Sequence, residues 1–519
     1  MARDRQNTKH GTNIMDLRQA ANRGSVSTAV AYDIANSICF IDNVIGTDSS
    51  DWMKATNDWA HSYPGGPVSH EYTSIKIATF SFWLKRGQLS SGPTISGGPD
   101  ESMYSNFNSA REGKIQIDDD SRLKFYFPLH TETSPKINAT LNDYSAWYHI
   151  VVAMDTTDGT AANRLKVYIN GVEQTWLTAP NMDQDDSIAM IGHGPSWFSL
   201  GAGGHNGNND ENSFTGYLAE WHFIDGQQKA ATDFGEFNSD GIWVPIEYEG
   251  TYGGVGYYLK FEDASNLGTD ENVHSGAGGA LTLDEHGLTT QNQSTDTPTN
   301  NFCTMNPLSA HSSLTLTEGN LKASYAGGDD TRAFATMAVS SGKWYWEIKG
   351  LSPDVSSVQK WAAGVAEANN HQAYNDKSAG DGPYEIALYT GNGKIYTNES
   401  VVDTFGEVTF AQNDIMMIAC DVDNLKIYWG KNGTWLNSGD PTSGATGTGA
   451  MSLTASWSPF IPIFAEGNSN SQIWQVNFGG TNVFSISSGN ADGDGYGNFE
   501  YAVPSGFYAL CTKNLAEYG

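Results

Sequence analysis

The tightest constraint on this chain is a pattern of short period-two runs closed by Asn-Gly and Asp-Asn corners, clearest in residues 414–435, DIMMIACDVDNLKIYWGKNGTW. Residues 415–422 are apolar and β-branched enough for a buried strand. Asp423-Asn424 predicts a two-residue turn in which both residues take positive φ. Leu425 and Ile427 alternate with Lys426 and Tyr428 on the returning strand, and Asn432-Gly433 predicts a second tight turn. Such a stretch is a hairpin in an antiparallel sandwich, with neither a helix nor a catalytic loop.

The same grammar runs through the chain. With 57 glycines, 12% aromatic residues and a turn pair roughly every ten residues, the expectation is all-β. At 519 residues the chain exceeds one core. The reading is two antiparallel, jelly-roll-like β-sandwich domains, residues 25–235 and 301–519, joined by a connector over 236–300. Helix is expected only in the first two dozen residues and at 228–234. Residues 264–300 have no apolar period and are expected to lie across the surface as loop or linker.

Charge and cysteine usage exclude several classes. The net charge of −31 argues against nucleic-acid binding, because phosphate contacts need Lys and Arg. No apolar run approaches the ~20 residues of a membrane span, and the N-terminus has no apolar signal-peptide core. Cys39, Cys303, Cys420 and Cys511 do not make a disulfide framework or a CxxC zinc motif. The expected compartment of assembly is a reducing cytoplasm. Residues 1–24 stand apart: five cations (Arg3, Arg5, Lys9, Arg18, Arg23) face two acids (Asp4, Asp16). Asn13 caps an expected short helix with Ile14, Leu17 and Ala21 on one face and Arg18 beside it. A segment this short cannot bury that face alone, so it reads as an anchor docking on another chain.

In the first unit the order TFSFWLKRG, WYHIVVAMD, LKVYINGVEQ, FTGYLAEWHFIDG resembles laminin-G-like members of the concanavalin A-like lectin/glucanase superfamily. In the second, GKWYWEIKG, WAAGVA, YEIALYTGNGKIY, the 414–435 hairpin, FIPIFAE and IWQVNFGG resemble a SPRY domain. The combination, with GYYLKFEDASNLG, STDTPTNNF and ALCTKNLAEYG, resembles virion-associated, tail-fibre-like proteins of tailed phages from aquatic bacteria. That resemblance implies a component exposed on the virion surface and assembled in the host cytoplasm. Its implied partners are other virion proteins through the N-terminus and a host-surface glycan or protein, with neither nucleic acid nor membrane insertion. Avidity from several weak copies suits a homo-oligomer, a trimer being the expected form. A decoration protein of purely architectural role is the alternative, and a glycan depolymerase the second alternative.

No enzyme is expected. Retaining glucanases of the first superfamily need two carboxylates about 5 Å apart, set on one strand face as Glu-x-Asp-x-x-Glu. Here the closing strand offers only Glu220 and Asp225, five apart and so on opposite faces. No G-x-S-x-G elbow supports a serine triad. Binding is expected at loops. Trp197 and Phe198 lie among glycines and amides, Asn206 and Asn208 included, a mixture that stacks on and hydrogen-bonds a sugar. In the second unit the loops at 352–360, 369–383 and 430–450 carry or adjoin Trp361, Tyr374, Asp381 and Trp435. No cofactor or metal is assigned. The 206–211 loop and Asn490-x-Asp492-x-Asp494-Gly495 have oxygen spacings that suit Ca²⁺, but solvated surface turns are the favoured reading of both.

Overall fold

In the computed structural model of the protein, the 414–435 stretch folds as paired strands, Ile415–Asp421 and Lys426–Lys431. They pair antiparallel from Met416↔Lys431 to Asp421↔Lys426. Four residues connect them rather than the expected two, and the positive φ falls on Leu425 (55°) instead of Asp423 and Asn424. The buried Asp421 carboxylate explains the wider loop: it accepts the backbone N–H of Asn424 at 3.0 Å and its side-chain amide at 2.8 Å. Asn432-Gly433 (47°, 83°) and Asn170-Gly171 (48°, 77°) do form the expected tight turns. At Asn392-Gly393 only the glycine has positive φ, inside a longer connection between Glu385–Tyr389 and Ile395–Thr397.

The structure describes residues 32–41, 51–55, 73–87, 100–108, 111–126, 134–188, 197–202, 213–272, 281, 283–325, 331–352, 361–369, 378–466 and 472–519. The anchor residues Ile14, Leu17, Arg18 and Ala21 lie outside them. The described residues are nearly all-β, built as antiparallel sandwiches. In the first, the sheet containing Trp147–Asp155, Ile77–Arg86, Gly216–Asp225 and Ser37–Phe40 faces the sheet containing Leu123–Tyr126, Arg111–Ile117, Glu101–Asn108 and Trp197–Leu200. In the second, a sheet centred on Lys343–Gly350 faces one centred on Trp361–Glu367 and Phe460–Glu466.

Alternation selects the faces. Phe80, Phe82 and Leu84 point between the first pair of sheets, while Trp83 points outward into a separate apolar layer. Trp344, Trp346 and Ile348 enter the second core, and Tyr345 turns the other way. Each such side chain contributes about 1.5–3 kcal/mol on burial. A one-residue slip would exchange whole faces, so the apolar pattern holds the register.

Two helical expectations change. Residues 228–234 hold only a single 3₁₀ turn, Ala231–Asp233. The C-terminal stretch, where no helix is expected, ends in the α-helix Thr512–Tyr518.

The largest correction concerns residues 264–300. Leu283–His286 pairs with Trp52–Ala55, and Gln293–Ser294 pairs with Ser37–Phe40. Ser294, Asp296, Thr297, Thr299, Asn300 and Asn301 are all buried. A polar segment survives there because it is hydrogen-bonded to both sandwiches. Asp296 accepts Lys85 Nζ at 2.6 Å and Trp147 Nε1 at 3.0 Å. Lys85 also donates to Asn301 Oδ1 (2.7 Å) and the Phe302 carbonyl (3.0 Å). Ser294 Oγ lies 2.7 Å from Thr481 Oγ1, and Thr295 N–H donates to the Gly480 carbonyl. Direct bridges add to this: Tyr217 Oη donates to the Gly319 carbonyl, and Asn320 Nδ2 to the Arg86 carbonyl.

Lys85 and Asp296 are both essentially solvent-free, so removing one leaves the other as a buried, uncompensated charge. Lys85→Met is expected to destabilise the chain by about 3–5 kcal/mol, read as a lowered urea midpoint. Lys85→Met combined with Asp296→Leu should recover much of that loss. A single variant as stable as the parent would contradict this account.

Candidate functional site

The Gly216–Asp225 strand is interrupted by a β-bulge. Against Ile77–Arg86 its register jumps between Ala219↔Trp83 and His222↔Ser81, so Glu220 is an inserted residue. Its φ is +50°, a left-handed conformation that costs a β-carbon residue on the order of 1 kcal/mol. The bulge puts Ala219 and Glu220 on the outer side in succession, after which Trp221 and Phe223 resume the inner face. On its other edge the strand changes partner at the same place. Residues 216–218 pair with Ser37–Phe40, and 221–223 with Tyr257–Leu259. Glu220 therefore sits in the fork where two neighbouring strands separate.

Side chains from four segments close round it. Tyr32 and Tyr258 each place a hydroxyl 2.6 Å from Glu220 Oε2, and the two hydroxyls are 2.8 Å apart. His222 is directly opposite Tyr258 in the pairing and stacks on it at 4.1 Å. His222 Nδ1 meets the Tyr252 hydroxyl at 2.9 Å. Burial lowers the His222 pKa although Glu220 opposes the shift. Burial, with the charge of Glu220 next, raises the Tyr32, Tyr252 and Tyr258 phenols far above their ordinary range. The result is a single carboxylate ringed by protonated phenols and a neutral imidazole, with Tyr32, Tyr252 and Lys260 half-buried around it.

The two acids of this strand are not brought together. Asp225 is committed elsewhere: its carboxylate accepts the backbone N–H groups of Thr73, Ser74, Gly254 and Val255. One described group of acids has metal-like spacing, Asp118, Asp119 and Asp120. Lysines already serve it, with Lys136 against Asp118 and Lys124 Nζ 2.9 Å from the neighbouring Asp100. Arg122 Nη1 reaches Asp120 at 2.7 Å, so this is an ion-pair network. In the 490–495 turn Asp492 accepts Asp494 N–H, Tyr496 N–H, Ala509 N–H and Asn514 Nδ2, which makes it a structural turn.

The residues expected to touch ligand are scattered. Trp197 opens the Trp197–Leu200 strand, so this part of the expected loop is sheet. Phe198 is a correction: it is buried between the sheets, stacked on Tyr257 at 5.0 Å. Trp361 is another. It is 4% exposed, edge-on to Phe410, with its indole against the Gly350 backbone, where a β-carbon would lie 2.5 Å from Nε1. Both sit on strands whose alternation points them inward. Trp435 is half-buried, edge-on to Tyr345 and Tyr428. Asp381 is half-buried beside the buried Arg332–Glu385 ion pair's loop. Asn206, Asn208 and Tyr374 lie outside the described residues. The Glu220 fork was not foreseen as a binding site, although two polar residues in the otherwise apolar LAEWHFI run are a visible signal.

Residues 65–231 match the laminin-G family model described as concanavalin A-like lectin/glucanases superfamily. That superfamily includes binding domains and glucanases alike. The SPRY domain of human HERC1 is similar at 16% identity, covering 33% of this chain and 96% of that one, with a TM-score of 0.27. A native heptameric SAP-like pentraxin from Limulus polyphemus is similar at 12% identity, covering 38% and 80%, with a TM-score of 0.27. The TRIM65 PSpry domain is similar at 12% identity, covering 34% and 89%, with a TM-score of 0.23. No curated protein matches the sequence.

Beside the fork, on the same outer face, His149 gives the first sandwich a pH dependence. Trp243 Nε1–H donates to its Nδ1 at 3.0 Å, which leaves Nε2–H to donate to Ser81 Oγ at 2.9 Å. Burial, then the nearby His222, pushes His149 down to about 3. The folded-state value lies below the unfolded one, so the stabilisation is complete above about pH 6.5 and is lost as pH falls toward 3. Urea midpoints measured from pH 7 to 4 should fall steeply. His149→Phe should flatten that slope, and an unchanged slope would refute the assignment.

Proposed function

We propose that this chain is a virion structural protein of a tailed phage, tail-fibre-like, that recognises a host-surface glycan or protein and performs no catalysis. The observation that carries the recognition half is the match of residues 65–231 to the concanavalin A-like family on a scaffold whose closing-strand acids are held apart. The virion half rests on the resemblance of the whole arrangement and on the acidity that keeps an abundant, exposed protein soluble. In this reading residues 1–24 dock on other virion proteins, the sandwiches face outward from the particle, and several copies, three in the simplest form, provide avidity.

An architectural role is the second reading. It is favoured by Val401 and Val402, which are exposed on Ser400–Asp403, the last strand of the second unit's six-stranded sheet. Exposed apolar side chains on an edge strand suit packing against a neighbour.

Particles assembled without the chain separate the two readings. Under recognition they remain intact and adsorb to host cells about a hundredfold less well, and adding wild-type protein beforehand blocks adsorption of normal particles. Unchanged adsorption together with fragile particles would support architecture. Deleting residues 1–24 should leave the far-UV circular dichroism unaltered and abolish incorporation. Incubation with host envelope glycans should release no new reducing ends.

A further inference from the structure

Glu220 carries more hydrogen-bonding capacity than its surroundings use. The residue is 6% exposed, and among the described residues every contact of its carboxylate is made by Oε2, with Tyr32, Tyr258 and His222. Oε1 accepts no hydrogen bond from them. Oε1 is not closed off from solvent, so it stays free to accept from a donor outside the described residues. The left-handed backbone at Glu220 points the same way, since such conformations persist where the surroundings hold a side chain in a required place.

The surroundings narrow the chemistry. A ring of tyrosines with a carboxylate suits either a cation or a sugar. The cation position is already taken within the chain, because Lys260 Nζ lies 5.6 Å from the Tyr258 ring centroid. What remains is a strong acceptor, the Oε1 atom, beside the half-buried aromatic rings of Tyr32 and Tyr252. That combination takes a hydroxyl donor with an apolar ring face. Anionic sugars are disfavoured by Glu220 itself, by Glu247 near Tyr32, and by a net charge of −31.

We infer that the Glu220 fork on the outer face of the first sandwich is a binding site for a neutral glycan, one ring hydroxyl donating to Glu220 Oε1 and the ring lying against Tyr32 and Tyr252. This places a contact on the sheet face, away from the loop ends. It rests on the recognition reading for its ligand class and does not require a virion.

The test uses the full chain and three probes: hexasaccharides of a neutral β-glucan and of chitin, with an alginate hexasaccharide as the anionic control. Isothermal titration should show binding of at least one neutral probe and none of alginate. Glu220→Gln should weaken that binding about tenfold while the melting temperature stays within a few degrees of the parent. Should that variant misfold, Tyr252→Ala and the tyrosine ring resonances of wild-type protein under titration give the same readout. No neutral probe binding, alginate binding as well as they do, or folded Glu220→Gln binding like the parent would each overturn the site. Host adsorption retained by particles carrying folded Glu220→Gln would place recognition elsewhere and leave the recognition reading standing.

Discussion

The buried ion pair of Lys85 and Asp296 is the constraint on which the rest of the architecture depends. Two charges taken out of water are tolerable only with close geometry and further hydrogen bonds. Trp147, Asn301, the Phe302 N–H and the Phe302 carbonyl supply those bonds. Lys85 belongs to a central strand of the first sandwich, and Asp296 to a segment that hydrogen-bonds the second at Gly480 and Thr481. The arrangement couples the two sandwiches through a polar core between them, where an apolar interface is the commoner solution. Such a core fixes relative position tightly, since each donor has one acceptor at one distance.

That rigidity bears on recognition. A chain that displays binding surfaces gains when those surfaces are ordered before contact, because ordering them on contact lowers affinity. The Glu220 fork is built in this manner. Its floor is a bulge in a central strand, Tyr258 on a neighbouring strand forms one wall, and the His149–Trp243 pair holds the adjoining part of the same outer layer. The acids whose spacing suggested chemistry are spent on structure: Asp225 holds four backbone N–H groups, and Asp118 and Asp120 hold lysines.

Much of the fold was legible in residues. Phe80, Phe82 and Leu84, and Trp344, Trp346 and Ile348, alternate as their burial requires. Asn170-Gly171 and Asn432-Gly433 turn where they should, because positive φ is cheap for those residue types. The site was less legible. Trp361 and Phe198 have the aromatic character of ligand contacts, yet strand alternation sends both into the cores. Nothing in a residue type separates an aromatic that stacks on sugar from one that stacks on Tyr257.

What the sequence determined by itself is the class of structure: period-two apolar patterning specifies two-faced strands, and Asn-Gly corners specify where they reverse. Both are local properties, decided within a few residues by sterics and burial. Tertiary structure alone decided that the polar 290–302 segment is interior, since its burial depends on donors some 150 to 265 residues away, such as Trp147 and Ile34. It alone decided that Glu220 is a bulge, since an inserted residue exists only relative to a partner strand. Long-range pairing is the physical reason in both cases, for a buried charge and an extra residue are defined by what stands opposite them.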